Sequence, residues 1–218
     1  MARTRIKICC ISSIEEARLA VKAGADALGL VGPMPSGPGT LDLDTIASLS
    51  RQIVPSVSRF LLSSDTTADG LIAAVDQAGT DTLQVVSPVE PDVLTQIRAH
   101  RPFVRLVQVL HVGGKETLSL ARAYAHTADA LLLDSGRPSA AIPELGGTGR
   151  THDWEISAKI VADLVIPVFL AGGLTPDNAA DAIRAVRPFG LDLCSGIRTY
   201  DRLDPVKLNA FIAAVHAA

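Results

Sequence analysis

The chain has 218 residues, of which 48% are hydrophobic and 20% charged, with a formal net charge of −3. This apolar share supplies a sizeable core and excludes a disordered chain, and the absence of any Lys or Arg run argues against a nucleic-acid or membrane-surface partner. The amino-terminal MARTRIKICC lacks the pattern of a secretion signal, and no apolar run reaches the roughly 18 residues of a spanning helix, so a soluble, cytoplasmic protein is expected.

Short apolar, β-branched runs alternate along the chain with stretches of helical periodicity. Strands are expected at 5–10 (RIKICC), 27–32 (ALGLVG), 57–63 (VSRFLLS), 82–87 (TLQVVS), 103–110 (FVRLVQVL), 130–135 (ALLLDS), 167–171 (PVFLA) and 190–195 (GLDLCS). Ser13-Ile-Glu-Glu16 reads as a capped helix start running to Gly24. Thr175-Pro-Asp-Asn178 puts a proline in a first helical turn before AADAIRAV. Eight strand-then-helix units with continuous apolar strands imply a parallel sheet covered by helices. The count of eight points to an α/β fold, one single-domain (β/α)8 TIM barrel over residues 1–218. A doubly wound open sheet, usually with fewer strands, is the rival.

In a barrel, chemistry gathers where the strands end at their carboxyl side. Cys9, Ser87, His111, Asp134, and the stretches 146–149 (GGTG), 171–173 (AGG) and 194–196 (CSG) fall there. Alternation along RIKICC puts Lys7 and Cys9 on the inward face, and Ile6, Ile8 and Cys10 on the other. Adjacent cysteines on opposite faces neither pair nor share a metal, and no CxxC or HxxxH spacing adds ligands, so no metal is expected. Three cysteines are also a poor disulfide framework. Cys10 reads as a small buried hydrophobe. Cys9 reads either as a buried thiol or, with the Lys7 cation favouring thiolate, as a base or nucleophile. Lys7 is alternatively the structural partner of an inward carboxylate such as Asp192.

Asp134 closes a run of three leucines, where a carboxylate is costly to bury unless paired or used. It is either a loop-anchoring group or a general acid raised by apolar neighbours. Glycines at 146–149, at Gly172 and Gly173, and at Gly196 beside Ser195 let backbone approach an anion, the place where barrels often hold a phosphate. No Walker or Rossmann fingerprint implies a nucleotide. His111 reads as a hydrogen-bonding packing residue, and Trp154 as packing at the start of the sixth helix.

The ordered set KICCI, EARLAVKAGADALGLV, LLLDS, GGTGRTHDW and LAGGLTPDNAADAIRAVRPFGLDLCSGI resembles the phosphoribosylanthranilate isomerases along nearly the whole chain. The resemblance implies an Amadori rearrangement of N-(5′-phosphoribosyl)anthranilate to 1-(2-carboxyphenylamino)-1-deoxyribulose 5-phosphate, in tryptophan biosynthesis and without cofactor or metal. It implies Cys9 as general base and Asp134 as general acid. Gly147, Thr148, Gly149, Gly172, Gly173, Ser195 and Gly196 would cradle the phosphate, with Lys7 assigned to the same substrate-binding set.

Four positions depart from the family pattern. Cys10 replaces the glycine of KICGI, and Val86 the histidine of QLHG. PSGPGT at 35–40 stands where a Ser-Pro-Arg run supplies an arginine for the anthranilate carboxylate. Arg198 replaces the acid of SSGVE. Arg137 or Arg198 is the candidate substitute for the missing arginine. Two other readings stand beside the first: an isomerase of a different phosphorylated aminosugar, and a non-catalytic barrel that only binds a sugar phosphate. The expected partner is a phosphorylated small molecule, and the expected assembly a monomer or homodimer.

Overall fold

The structure, a computed structural model, describes residues 3–35, 37–114, 116–135 and 154–218. Strands β1 (Arg5–Ile8), β2 (Ala27–Val31), β3 (Ser58–Ser63), β4 (Thr82–Val85), β5 (Arg105–His111), β6 (Ala130–Asp134), β7 (Val168–Leu170) and β8 (Gly190–Leu193) pair in parallel in chain order. Pairing of β1 with β8, from Arg5↔Gly190 to Ile8↔Leu193, closes the barrel and excludes the open sheet. Helices α1 (Ile14–Ala23), α2 (Leu43–Gln52), α3 (Ala68–Ala78), α4 (Pro91–His100), α5 (Glu116–Tyr124), α6 (Trp154–Asp163), α7 (Ala179–Val186) and α8 (Pro205–His216) follow the strands in turn.

The period of two along each strand divides the core into two layers. Leu28, Leu61, Leu83, Leu131 and Leu191 face the helices. Val31, Phe60, Val107, Leu132 and Phe169 fill the barrel. Helix starts follow their caps: Ser13 accepts the Glu16 N–H at α1, and Asp42, Thr67 and Asp204 do the same work at α2, α3 and α8.

Several strand ends differ by one or two residues from expectation, as β4, β5 and β8 do, and two departures have a clear local cause. Helix α7 begins at Ala179 and not at Pro176, because the Asn178 side chain serves the preceding loop. It accepts the Thr175 N–H at 2.8 Å and donates to the Gly173 carbonyl at 2.9 Å. Strand β1 stops at Ile8, and Cys10 takes a left-handed conformation with φ +61°. That turn breaks the alternation, so Cys10 joins Cys9 in the interior instead of facing outward.

At the opposite, amino-terminal rim, one device occurs three times. Asp26, Asp81 and Asp129 each stand one residue before a strand (β2, β4 and β6). Each accepts a backbone N–H from the strand before: Ile6 at 2.9 Å, Arg59 at 3.0 Å and Leu106 at 2.8 Å. Each also binds an arginine side chain: Arg3, Arg59 and Arg98 respectively. These carboxylates set the register of the paired strands.

Burial works against the Asp129 charge, but Arg98 and the Leu106 N–H hold its carboxyl below the usual range. The stabilisation is therefore present at neutral pH and lost as pH falls through that lowered value. Asp129→Ala, leaving the Leu106 N–H unpaired and Arg98 with only the Thr127 carbonyl, is expected to cost about 2 kcal/mol. The urea midpoint should fall at unchanged slope, the gap to the wild type should narrow in acid, and kcat should not change.

Candidate active site

At the carboxyl ends of the strands lies a cavity of about 720 Å³, its open mouth included. Cys9 reaches it from just past the end of β1, Gln84 from β4 and Val86 from just past it, Asp134 from β6, and Gly172 and Gly173 from the turn after β7. Asp192, Cys194 and Ser195 come from β8 and its turn, and Met34, Gly37 and Pro38 from the loop after β2.

Beneath this wall Lys7 is wholly buried, its Nζ 2.9 Å from Asp192 Oδ1. Burial by itself would strip its proton, but Asp192, with Cys9 beside it, raises the pKa to about 12 and keeps the ammonium. Gly29 makes the room: a Cβ there would lie 2.9 Å from Cys9 Sγ and 3.1 Å from Lys7 Nζ. The Lys7 cation also stands 5.2 Å from the centre of the Phe60 ring. Lys7 is thus the partner of Asp192, and it is not on the cavity wall where a phosphate would touch it.

Asp134 is only 7% exposed. Burial pushes its carboxyl up to about 6; the Ser135 N–H, 2.7 Å away, and the Lys7 charge pull it down, while Asp192 pushes it further up. Gly172, at φ +85°, carries the chain across this carboxyl, and a Cβ would fall 3.0 Å from Oδ1 and 2.9 Å from Ser135 Cβ. Only glycine satisfies both the backbone angle and the approach.

The other expected site residues divide. Gly173 and Ser195 join Gly172 on the wall. Gly196 lies beside it, letting the turn after β8 rest against the Leu174 carbonyl with no room for a Cβ. Gly147, Thr148, Gly149 and Arg137 lie outside the described residues.

Arg198 does not line the cavity. Its guanidinium donates to Glu16 Oε1 and Oε2 at 2.9 and 3.0 Å, to the Cys10 carbonyl at 2.5 Å and to the Asp201 carbonyl at 2.8 Å. It replaces an acid in order to clamp the turn after β1, since Glu16 supplies the counter-charge.

One residue of the site escaped the sequence reading as a functional group. Gln84 is 2% exposed on the cavity wall, and its Oε1 has no hydrogen-bond partner among the described residues. A buried acceptor left unmade costs free energy unless a ligand supplies the donor. The signal available was a glutamine at an inward position of an otherwise apolar run. His111 ends β5 opposite Asp134 in register. Burial pushes its imidazole down, with the Val86 carbonyl acting the other way. Among the described residues no group of three His, Cys, Asp or Glu is placed to hold a metal ion.

Comparison with known proteins places this geometry. The sequence model of the N-(5′-phosphoribosyl)anthranilate (PRA) isomerases matches residues 6–214. The N-(5′-phosphoribosyl)anthranilate isomerase of Methanocella arvoryzae is 34% identical over 205 residues, 94% of each chain. That of Methanothrix thermoacetophila is 34% identical over 98% of this chain and 99% of its own. Among solved structures, the phosphoribosyl anthranilate isomerase of Thermococcus kodakaraensis superposes with a TM-score of 0.82 at 30% identity, covering 99% of this chain and 100% of that one. With a family match spanning all eight strands and such relatives along nearly its whole length, the chain belongs to the N-(5′-phosphoribosyl)anthranilate isomerase family.

Proposed function

We propose that the chain converts N-(5′-phosphoribosyl)anthranilate to 1-(2-carboxyphenylamino)-1-deoxyribulose 5-phosphate, with Asp134 as general acid and Cys9 as general base. The observation that carries this reading is a carboxyl raised by burial on the wall of the cavity that also holds the Cys9 thiol. Asp134 gives its proton to the ribose ring oxygen as the C1–O bond breaks, leaving a Schiff base. Cys9 then takes the C2 proton, and the enolamine tautomerises to the ketone. The reaction needs one acid and one base held at fixed places about an anchored sugar, which is what rigid strand ends provide.

Backbone at Gly172, Gly173 and Ser195 forms the described part of the phosphate cradle. Gln84 Oε1 accepts from an N–H or O–H of the substrate. Met34 and Pro38 supply apolar contact for the aromatic ring. None of the described wall residues is Lys or Arg, and with Arg198 committed to Glu16 the counter-charge for the anthranilate carboxylate falls to Arg137. The same lack of a wall cation favours, as second reading, an isomerase for another phosphorylated aminosugar. Among the described residues no helix is long and apolar enough to cross a membrane. A cytoplasmic monomer or homodimer completes the reading.

A steady-state assay with freshly generated phosphoribosylanthranilate, followed by loss of fluorescence, is expected to show turnover, and the gene to restore a tryptophan auxotroph lacking this isomerase. Turnover of another aminosugar phosphate alone would support the second reading. Cys9→Ala and Asp134→Asn are each expected to lower kcat by about 10²- to 10⁴-fold. If either variant keeps wild-type turnover, the acid–base pair is wrong. Gln84→Met, losing one hydrogen bond, should raise KM roughly tenfold with a smaller effect on kcat.

Asp134 also makes a pH prediction. Its folded pKa, about 6, is above the ordinary value of 3.8. Its contribution is therefore full below about pH 4 and is lost as pH rises through 6. Asp134→Asn removes this penalty and should gain about 2 kcal/mol on the wild type between pH 4 and pH 7, at 1.36 kcal/mol per unit. Urea midpoints at the two pH values measure it.

A further inference from the structure

Cys9, Cys10 and Cys194 are free thiols on the wall of one cavity, and the acid–base reaction uses only the first. Cys10 is turned inward by its left-handed backbone, and its carbonyl is fixed by Arg198. Cys194 stands beside it on the neighbouring strand. β1 and β8 stay in register to Ile8↔Leu193, and the Cys9 N–H donates to the Leu193 carbonyl at 2.9 Å. Cys10 and Cys194 line the same cavity wall, and their thiols are close enough for each to act on the other's proton affinity.

The pair is asymmetric. The neighbouring Cys194 and Cys9 thiols and burial all push the Cys10 thiol up, so it keeps its proton. The neighbouring Cys10 thiol and the nearby Arg198 charge lower Cys194 against the cost of burial, favouring thiolate. Cys194 is half-buried, whereas Cys10 is 5% exposed behind it. One sulfur is thus reachable and nucleophilic, and the other is protonated and beside it on the same wall.

We propose that Cys194 and Cys10 form a hydroperoxide-reactive pair, Cys194 the attacking and Cys10 the resolving sulfur, which closes to a disulfide across the tops of β1 and β8. The Cys194 thiolate attacks the terminal oxygen of the hydroperoxide. The O–O bond breaks, and the leaving oxygen departs as alcohol (or as water from hydrogen peroxide) after taking a proton from solvent. Cys10 sulfur then attacks the Cys194 sulfenic acid; hydroxide is expelled and leaves as water with the Cys10 proton. In sum, two thiols and one hydroperoxide give one disulfide, one alcohol and one water. The disulfide pulls the turn that carries Cys9, so turnover falls on oxidation and returns with a dithiol.

The test is to treat the reduced full chain with one equivalent of hydrogen peroxide, then alkylate, weigh and map it. The expected product has lost two hydrogens (about 2 Da), keeps one alkylatable thiol of three, and yields a Cys10–Cys194 cross-linked peptide that dithiothreitol releases. Cys10→Ser should strand a sulfenic acid on Cys194 that dimedone traps, and Cys194→Ser should slow peroxide consumption about tenfold or more. Three thiols surviving, a Cys9–Cys10 bond, sulfenic acid trapped on Cys9, or an unchanged rate in Cys194→Ser would overturn the assignment. The wild-type peptide map decides by itself where a variant fails to fold.

Discussion

Lys7 and Asp192 meet inside the barrel, the lysine wholly buried and the carboxylate nearly so beneath the cavity it lines, and neither tolerates that position alone. An unpaired ammonium or carboxylate there would shed its charge; together they remain an ion pair. The neighbours accommodate it. Gly29 gives up a side chain to leave the ammonium space, and Phe60 presents a ring face to it, with Phe169 packed edge-on against Phe60. Closure of β1 onto β8 brings the two residues level, since Lys7 and Asp192 are register partners.

The cavity above inherits the field of this pair. Asp134 feels both ends of it, Asp192 raising its carboxyl and Lys7 lowering it, and desolvation decides the sign. A carboxyl in this place is an acid because the barrel is dry around it. Cys9 lies one pleat above Lys7 on the same strand face, so acid and base share one charged foundation. The loops are subordinate to that arrangement: Gly172 passes over Asp134, and Arg198 with Glu16 holds the turn that follows Cys9. Cys10 keeps its left-handed angle without being glycine because its carbonyl is held by that arginine.

The barrel, its strand order, and Cys9 and Asp134 at strand ends were all legible in the sequence. Each depends on local rules: β-branched runs, alternation, and a polar residue closing an apolar run. What escaped depends on distant partners or on one dihedral angle. Alternation assigns Cys10 to the outer face, and only the reversal of φ after Ile8 turns it inward. Arg198 looks like a spare charge until Glu16, 182 residues earlier, is placed beside it. The start of α7 moved because the Asn178 side chain serves the loop before it. Gln84 was visible as a letter, but its unmet acceptor belongs to the folded cavity. The three rim aspartates share only a short Asp-x-Leu signature, since their arginines come from different offsets along the chain.

The rim aspartates and the Lys7–Asp192 pair are both ion pairs, but solvent reaches them differently. Arg3 and Asp26 keep 49% and 22% of their side-chain surface exposed, whereas Lys7 and Asp192 keep 0% and 7%. Mobile counter-ions, with a screening length of roughly 8 Å at physiological ionic strength, surround the first kind and screen the buried second kind far less. Added salt therefore loosens the amino-terminal rim while the field at the reacting centre persists. In this barrel, salt tolerance of the fold and salt tolerance of the chemistry are separate properties, set at opposite ends of the same strands.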